Sequence, residues 1–460
     1  MSIDILPDEA LLEIFSFHLE EAKHIEPWIP LVHVCRRWRS IVFTSPCRLN
    51  LRVYLIPRKR QVKVMLDIWP NLPIHILALG YPTPLCNSEN NLLAALGLTD
   101  RICRIQMDGS RSDLERILPA MQRPFPALTG INIKCLDYIH RRTITVLPEA
   151  FLGGSAQHLR SCDLWAVEFP GIWKLLSTSN HLVTLNLWYI PHSMSAPPER
   201  MATHLSTMPN LESLSIVFRP PQSLRSWPDQ PIRRHLSPLT RVVLPSLTKF
   251  WFQAMGWYIE DFVSRIDVPL LNKVGITFFD QPAFNTPQLH GFFGRIERFK
   301  AHSQGSVVFG GSSIEFELKP GSFSCELAIL CEGIGRQISS MVQLCGSSLH
   351  VPSTLKRLDV CKSQIGPVLY EVETPQWLDL FHPFAGLEDL HIGRGLVLHY
   401  ALALRELAGE RVTEVLPALQ NLFIEGLEPS GPIQEALGRF VAARQLSGLP
   451  VTVHSWDGQS

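Results

Sequence analysis

His181-Leu182-Val183-Thr184-Leu185-Asn186-Leu187 places apolar side chains at Leu182, Leu185 and Leu187, and the same apolar-x-x-apolar-x-apolar phrase returns along most of the chain. It recurs at Ile102-Ile105-Met107, Leu128-Ile131-Ile133, Leu159-Cys162-Leu164, Leu211-Leu214-Ile216, Leu247-Phe250-Phe252 and Leu271-Val274-Ile276, with later copies beginning at Leu355, Leu387 and Leu419. Starts from 102 to 271 lie 23 to 36 residues apart and those from 355 to 419 lie 32 apart, room for one strand and one helix per unit. The local order is helix, turn, strand, as where Pro198 to Leu205 precedes Pro209-Asn210-Leu211, or Leu402 to Val412 precedes Pro417-Ala418-Leu419. Such units stack so that each buries its apolar face against its neighbours.

Between Pro282 and Pro352 the period is obscured: Ile296-Phe299-Ala301 is a poor copy, and five glycines (305, 310, 311, 321 and 346) interrupt it. Ser306 to Phe309 and Ile314 to Leu318 still alternate, which predicts continued sheet with longer loops. Ile433 to Leu446 reads as a helix and Val451-Thr452-Val453 as a short strand, together able to cap the array. The composition change at Pro57-Arg58-Lys59-Arg60 is the linker candidate.

The first fifty residues follow a different rule. Pro7, Asp8 and Glu9 suit the start of a helix, and Leu11, Leu12, Ile14, Phe15, His18 and Leu19 fall at spacings of three and four behind them. Pro30 can open a second helix carrying Leu31, Val34, Cys35, Trp38, Ile41 and Val42 on one face and Arg36, Arg37 and Arg39 on the other. Two helices in about fifty residues form too small a unit to bury both stripes. Six apolar side chains at roughly 1.5–3 kcal/mol each match an association cost of about 4–15 kcal/mol, so the stripes imply a partner.

Composition excludes several classes. In 460 residues, 42 Lys and Arg balance 42 Asp and Glu, so no bulk field holds the chain to nucleic acid or to an acidic membrane. No apolar run approaches the roughly 18 residues of a membrane span, and the acidic start, with Asp4, Asp8, Glu9 and Glu13, is unlike a secretory leader, so an intracellular location, cytoplasmic or nuclear, is expected. The ten cysteines form no C-x-x-C pair and are expected as reduced thiols packed like small hydrophobes. H-E-x-x-H, P-loop, G-x-S-x-G and EF-hand patterns are all missing, Gly333-Ile334-Gly335 lacks the third glycine of a phosphate loop, and His391 and His399 have no Cys or carboxylate at ligand spacing. The expectation is a non-catalytic chain without cofactor or metal.

Leu6-Pro7-Asp8-Glu9, Leu11-Leu12-Glu13-Ile14-Phe15, Val34-Cys35-Arg36-Arg37-Trp38 and Ser45-Pro46, in that order, resemble an F-box. In that family the helices dock on the Skp adaptor of a cullin–RING ubiquitin ligase. The resemblance implies that Leu6, Pro7, Leu11, Ile14, Phe15, Val34, Cys35 and Trp38 make or support that contact; for Cys35 and Trp38, core packing is an equal alternative, and for the whole segment the alternative is a helical hairpin packed on the rest of the chain. The downstream units resemble leucine-rich repeats of the irregular kind common behind fungal F-boxes. The asparagine usual after the third apolar position is replaced by Val167, Ile190, Arg219, Ser363, Gly395 and Leu427, so no asparagine ladder joins the turns.

The expected fold is therefore α/β, with a helical F-box at 1–56 followed at 57–460 by an irregular leucine-rich-repeat-like solenoid with a curved parallel sheet. The third and fifth positions of each hexad point away from the core and line the concave face. They are polar with a few aromatics, and the candidate substrate contacts are Lys249, Trp251, Arg357, Asp359, Asp389, His391 and Phe423. Trp251 and Phe423 read either as interface anchors or as rings covered by a neighbouring strand or loop, and Lys249 and Arg357 either as contacts for an acidic or phosphorylated segment or as solvated charges. The resemblance implies a substrate-recognition subunit that holds the Skp adaptor, and through it the ligase, at one end and a protein substrate along the repeats; the alternative is an F-box scaffold that promotes no ubiquitination.

Overall fold

The structure is a computed structural model that describes residues 5–21, 26–46, 48–57, 59, 61–64, 71–79, 89–137, 144–221, 240–297, 299, 302–319, 323–348, 354–363, 374–407, 411–428 and 430–457. The chain forms two compact units, 1–195 and 196–460. The fold is mixed α/β, a helical N-terminal region followed by strands that pair mostly in parallel and close into no barrel.

In the first unit three helices, α1 (Asp8–Glu21), α2 (Ile29–Val34) and α3 (Arg36–Thr44), precede the sheet. Strands Val53–Leu55, Ile74–Leu79, Ile102–Gly109, Gly130–Cys135, Ser161–Trp165 and Thr184–Ile190 then follow, each parallel to the next. The last four are the hexads read from sequence. The first two were not expected. The pairing of Ile74–Leu79 with its neighbour shifts by one residue between Ile74 and His75, and that bulge throws the strand out of the hexad spacing. The linker candidate is tied down rather than free: the Asn91 side chain donates to the Pro57 carbonyl and accepts from the Val62 N–H. Arg58 and Arg60 lie outside the described residues.

In the second unit the strand order is Ser213–Phe218, Lys249–Ala254, Lys273–Phe279, Ser324–Leu330, Ile314–Lys319, Gln304–Phe309, Arg357–Lys362, Asp389–Ile392, Asn421–Glu425 and Thr452–Trp456. Of the three strands between 304 and 330, two fall where the alternation predicted continued sheet, but the three do not all run in one direction. Ile314–Lys319 runs antiparallel to both its neighbours, so this segment is laid into the sheet as a meander in reverse chain order. Its members still pair in parallel with the repeat strands on either side. Strand Ser324–Leu330 was hidden because Ser322 stands where a hexad has its leading apolar residue. The helix that follows, Ile334–Ser348, begins within Gly333-Ile334-Gly335, which therefore joins a strand to a helix although it lacks the third glycine. A Cβ at Gly335 would meet the Gln376 side chain at 3.1 Å.

Hexad apolar positions form the core. Phe250, Phe252, Tyr258 and Phe262 are all buried, with the Phe252 and Phe262 rings stacked 4.9 Å apart. In place of an asparagine ladder, main-chain bonds join successive turns just before each strand. The Glu212 carbonyl accepts from both Thr248 and Lys249, the Thr248 carbonyl from Asn272 and Lys273, and the same double acceptance recurs at Lys356 and Glu388. At the far end the cap helix Pro432–Leu446 buries Arg444 completely, its guanidinium donating to the Val412 and Leu419 carbonyls at 3.0 Å each.

One carboxylate links two repeats. Glu260, on the helix Gly256–Ser264, accepts from the N–H groups of Gln288 and Leu289 at 2.8 Å each, capping a helix, Pro287–Gly294, whose own N-cap residue makes no side-chain bond. Glu260→Gln replaces one accepting oxygen by a donor that faces an N–H, and it is expected to cost about 1–3 kcal/mol. Urea unfolding checks this; a midpoint equal to that of the wild type refutes it.

Candidate functional site: a helical surface and a sheet face

The N-terminal helices divide their apolar residues between an interior and a surface. Asp8 and Glu9 stand in the first turn of α1, and the Leu11 N–H reaches back to the Pro7 carbonyl. Leu11 and Phe15 are fully buried, and the Phe15 ring packs on Trp38 at 4.7 Å, so these three hold the helices together. Trp28 donates from its indole nitrogen to the Arg52 carbonyl at 2.8 Å, and Glu26 accepts from the Tyr54 N–H at 3.0 Å, which ties the helices to the first strand. Arg37 bonds both the Asp8 carboxylate and the Leu6 carbonyl, at 2.7 and 2.6 Å, and fixes the turn through Leu6 and Pro7 against α3.

The single helix expected over Pro30 to Val42 is broken at Cys35, whose backbone is extended. Its thiol sulfur accepts from the Trp38 N–H at 3.4 Å and caps α3, a role cysteine sequences seldom announce. The break leaves Val34 59% exposed and Cys35 exposed. Ile14 (43%), Phe17 (66%) and Ile5 (74%) are exposed as well, Ile14 and Phe17 sharing one side of α1. Pro7 is exposed, and Leu6 and Trp38 are half-buried. Of the eight residues inferred from the resemblance, Pro7, Ile14, Val34 and Cys35 therefore face solvent, while Leu11 and Phe15 are interior. Ile5 and Phe17 were missed; Phe17 lies off the apolar stripe, and an aromatic there is itself the signal.

Seven of the eight cysteines with free thiols are buried or half-buried, Cys35 being the exposed one. Cys47 and Cys86 lie outside the described residues. Among the described residues no group of three or more His, Cys, Asp and Glu is arranged to hold a metal ion, and no helix is long and apolar enough to cross a membrane.

On the second unit the register gathers the hexad outward positions into rows. One row runs Trp251, Gly275, Glu326, Glu317 and Ser306, and continues through Asp359, His391, Phe423 and His454. Lys249, Arg357 and Asp389 lie two residues earlier on their strands, in the adjoining row. The seven sequence-derived candidates thus share one face. Several are already engaged: Arg357 with Asp359 at 3.0 Å, Asp389 with the Asn421 amide at 2.8 Å, and Phe423 between the rings of His391 and His454 at 4.1 and 4.9 Å. Burial, reinforced by Arg357, holds the His391 pKa below its usual value.

Sequence reasoning missed Glu315, Glu317 and Glu326, which fall where the period was obscured. The alternation Ile314-Glu315-Phe316-Glu317-Leu318 did hold the signal, since it buries the apolar residues and turns both glutamates outward. Partial burial, then repulsion from Glu315 and Glu317, pushes Glu326 up to about 7. A carboxyl group raised above its unfolded value of about 4.5 contributes stability that is complete below that value and is lost as pH rises toward 7. Glu326→Gln is therefore expected to raise stability by about 1–2 kcal/mol at pH 8, after allowance for solvent screening, and to leave it nearly unchanged at pH 4. Thermal melts at the two pH values check this, and an equal change at both contradicts it.

Residues 3–48 match the family model described as F-box-like. No match to the chain was found among curated proteins. The residues that build the helical surface just described thus carry an F-box-like domain, about the N-terminal tenth of the chain.

Proposed function

We propose that the chain is the substrate-recognition subunit of an SCF-type cullin–RING ubiquitin ligase, gripping the Skp adaptor with its N-terminal helices and a target protein with the sheet units. The observation that carries this reading is that the F-box-like segment turns Ile5, Ile14, Phe17 and Val34 to solvent instead of into its own core. Four such side chains at roughly 1.5–3 kcal/mol each supply a gross gain that meets the cost of association. The sheet units act as leucine-rich-repeat-like modules of the kind that follows fungal F-boxes, and the chain works in the cytosol or nucleus. It performs no covalent chemistry of its own and needs no cofactor; its contribution to ubiquitin transfer is proximity, holding a substrate near a catalytic subunit.

Co-expression with the Skp adaptor followed by size-exclusion chromatography tests this. The expected result is a one-to-one complex that also recovers cullin from extract. A complex that never recovers cullin points to a scaffold outside the ligase, and a folded chain that elutes alone sinks the reading.

A further inference from the structure

The outward face of the second unit carries a cluster of three glutamates, two of them in the row that starts at Trp251. Glu317 and Glu326 stand opposite each other across an antiparallel pair, Glu315 lies two residues before Glu317, and among the described residues none of the three has a cationic partner. On one side the row continues to Gly275, across which the Trp251 indole lies; a Cβ at Gly275 would come within 2.2 Å of that ring. On the other side is Ser306, 1% exposed and in register with both Glu317 and Asp359; among the described residues the Ser306 hydroxyl oxygen has no hydrogen-bond partner. Among the described side chains the nearby cations lie off the row: Lys249 and Lys273 stand in the adjoining one, and Arg357 is held by Asp359.

Like charges placed directly opposite on a sheet repel, and a cation between them removes the repulsion. A guanidinium does more than an ammonium, because its planar fork matches two carboxylate oxygens and its face stacks on an indole. We infer that this row docks an extended, arginine-bearing segment of a protein partner, one guanidinium stacking on Trp251 and forked by Glu326 and Glu317, with the Ser306 hydroxyl bonding a polar group of the same segment. Sites on adjacent strands lie about 4.8 Å apart, a spacing an extended chain crossing them can follow. The inference rests on the receptor reading, for which it names the chemistry of the bound substrate.

Fluorescein-labelled (Gly-Arg)6, (Gly-Lys)6 and (Gly-Glu)6 are titrated with the full chain at about 0.15 M salt and followed by anisotropy. The arginine probe is expected to bind about ten-fold more tightly than the lysine probe, with the glutamate probe not binding. Glu317→Gln/Glu326→Gln and Trp251→Ala should each weaken it about ten-fold, whereas Glu414→Gln/Glu435→Gln, which removes the same charge from the helices, should not. The Glu-to-Gln changes relieve repulsion, so thermal melts should show the variants folded. Equal affinity for arginine and lysine probes, equal weakening by the helix control, or no arginine binding by the wild type overturns the proposal. The same preparations are mixed with the Skp adaptor: adaptor binding without (Gly-Arg)6 binding removes this inference alone, and the converse removes the ligase reading alone.

Discussion

The chain carrying Ile14→Glu/Phe17→Glu is expected to lose the Skp adaptor by at least about a hundred-fold while unfolding at the wild-type temperature. Both side chains are exposed on α1, 43% and 66%, so changing them removes far less packing from the folded chain than a core substitution would. In a complex they would be covered. Burying two carboxylates without partners, added to the lost apolar contact, costs at least about 3 kcal/mol, which is the hundred-fold. Phe15→Ala makes the informative contrast. Phe15 is fully buried against Trp38, so its truncation is expected to destabilise the helices by about 3–5 kcal/mol, and any loss of adaptor binding should come with loss of helical signal. Titration calorimetry with purified adaptor, paired with circular dichroism melts, separates the two. Unaltered binding by the α1 double variant would mean that the adaptor does not use this surface.

The second large effect is expected at Phe252, in the interior of the second unit. Its ring stacks on Phe262 at 4.9 Å and on Phe250 at 5.6 Å, lies 6.0 Å from Tyr258, and is fully buried. Truncation to alanine removes an aromatic ring from a set of rings that cannot collapse inward without breaking strand register, so Phe252→Ala should cost about 3–5 kcal/mol. A urea midpoint shifted by less than the equivalent of about 1 kcal/mol would show that the neighbouring rings refill the space.

What was legible beforehand follows from how local each signal is. A hexad declares its strand within six residues, so strands such as Thr184–Ile190 and Asn421–Glu425 stood in the sequence at nearly their observed positions. The helix break and the antiparallel order of the inserted meander did not, because each depends on something outside the window. Cys35 interrupts its helix through a sulfur bond that only the folded turn reveals, and the bulge at Ile74 is a property of the pairing, not of either strand. The same holds for the surfaces. Ile14 and Val34 came from a motif, but the company of Glu326, Glu317 and Trp251 is set by register between strands up to 75 residues apart in sequence.

The carbonyls that each accept two N–H groups from the following turn have a consequence for how such a chain changes over time. Because these bonds between units are made by the main chain, they do not depend on which side chain stands at the joint. A segment that offers extended edges in the right direction and apolar residues for the core can pair into the stack, as the meander from 304 to 330 does. Outward residues such as Trp251 and Glu326 can thus change in kind while the joints beneath them stay the same.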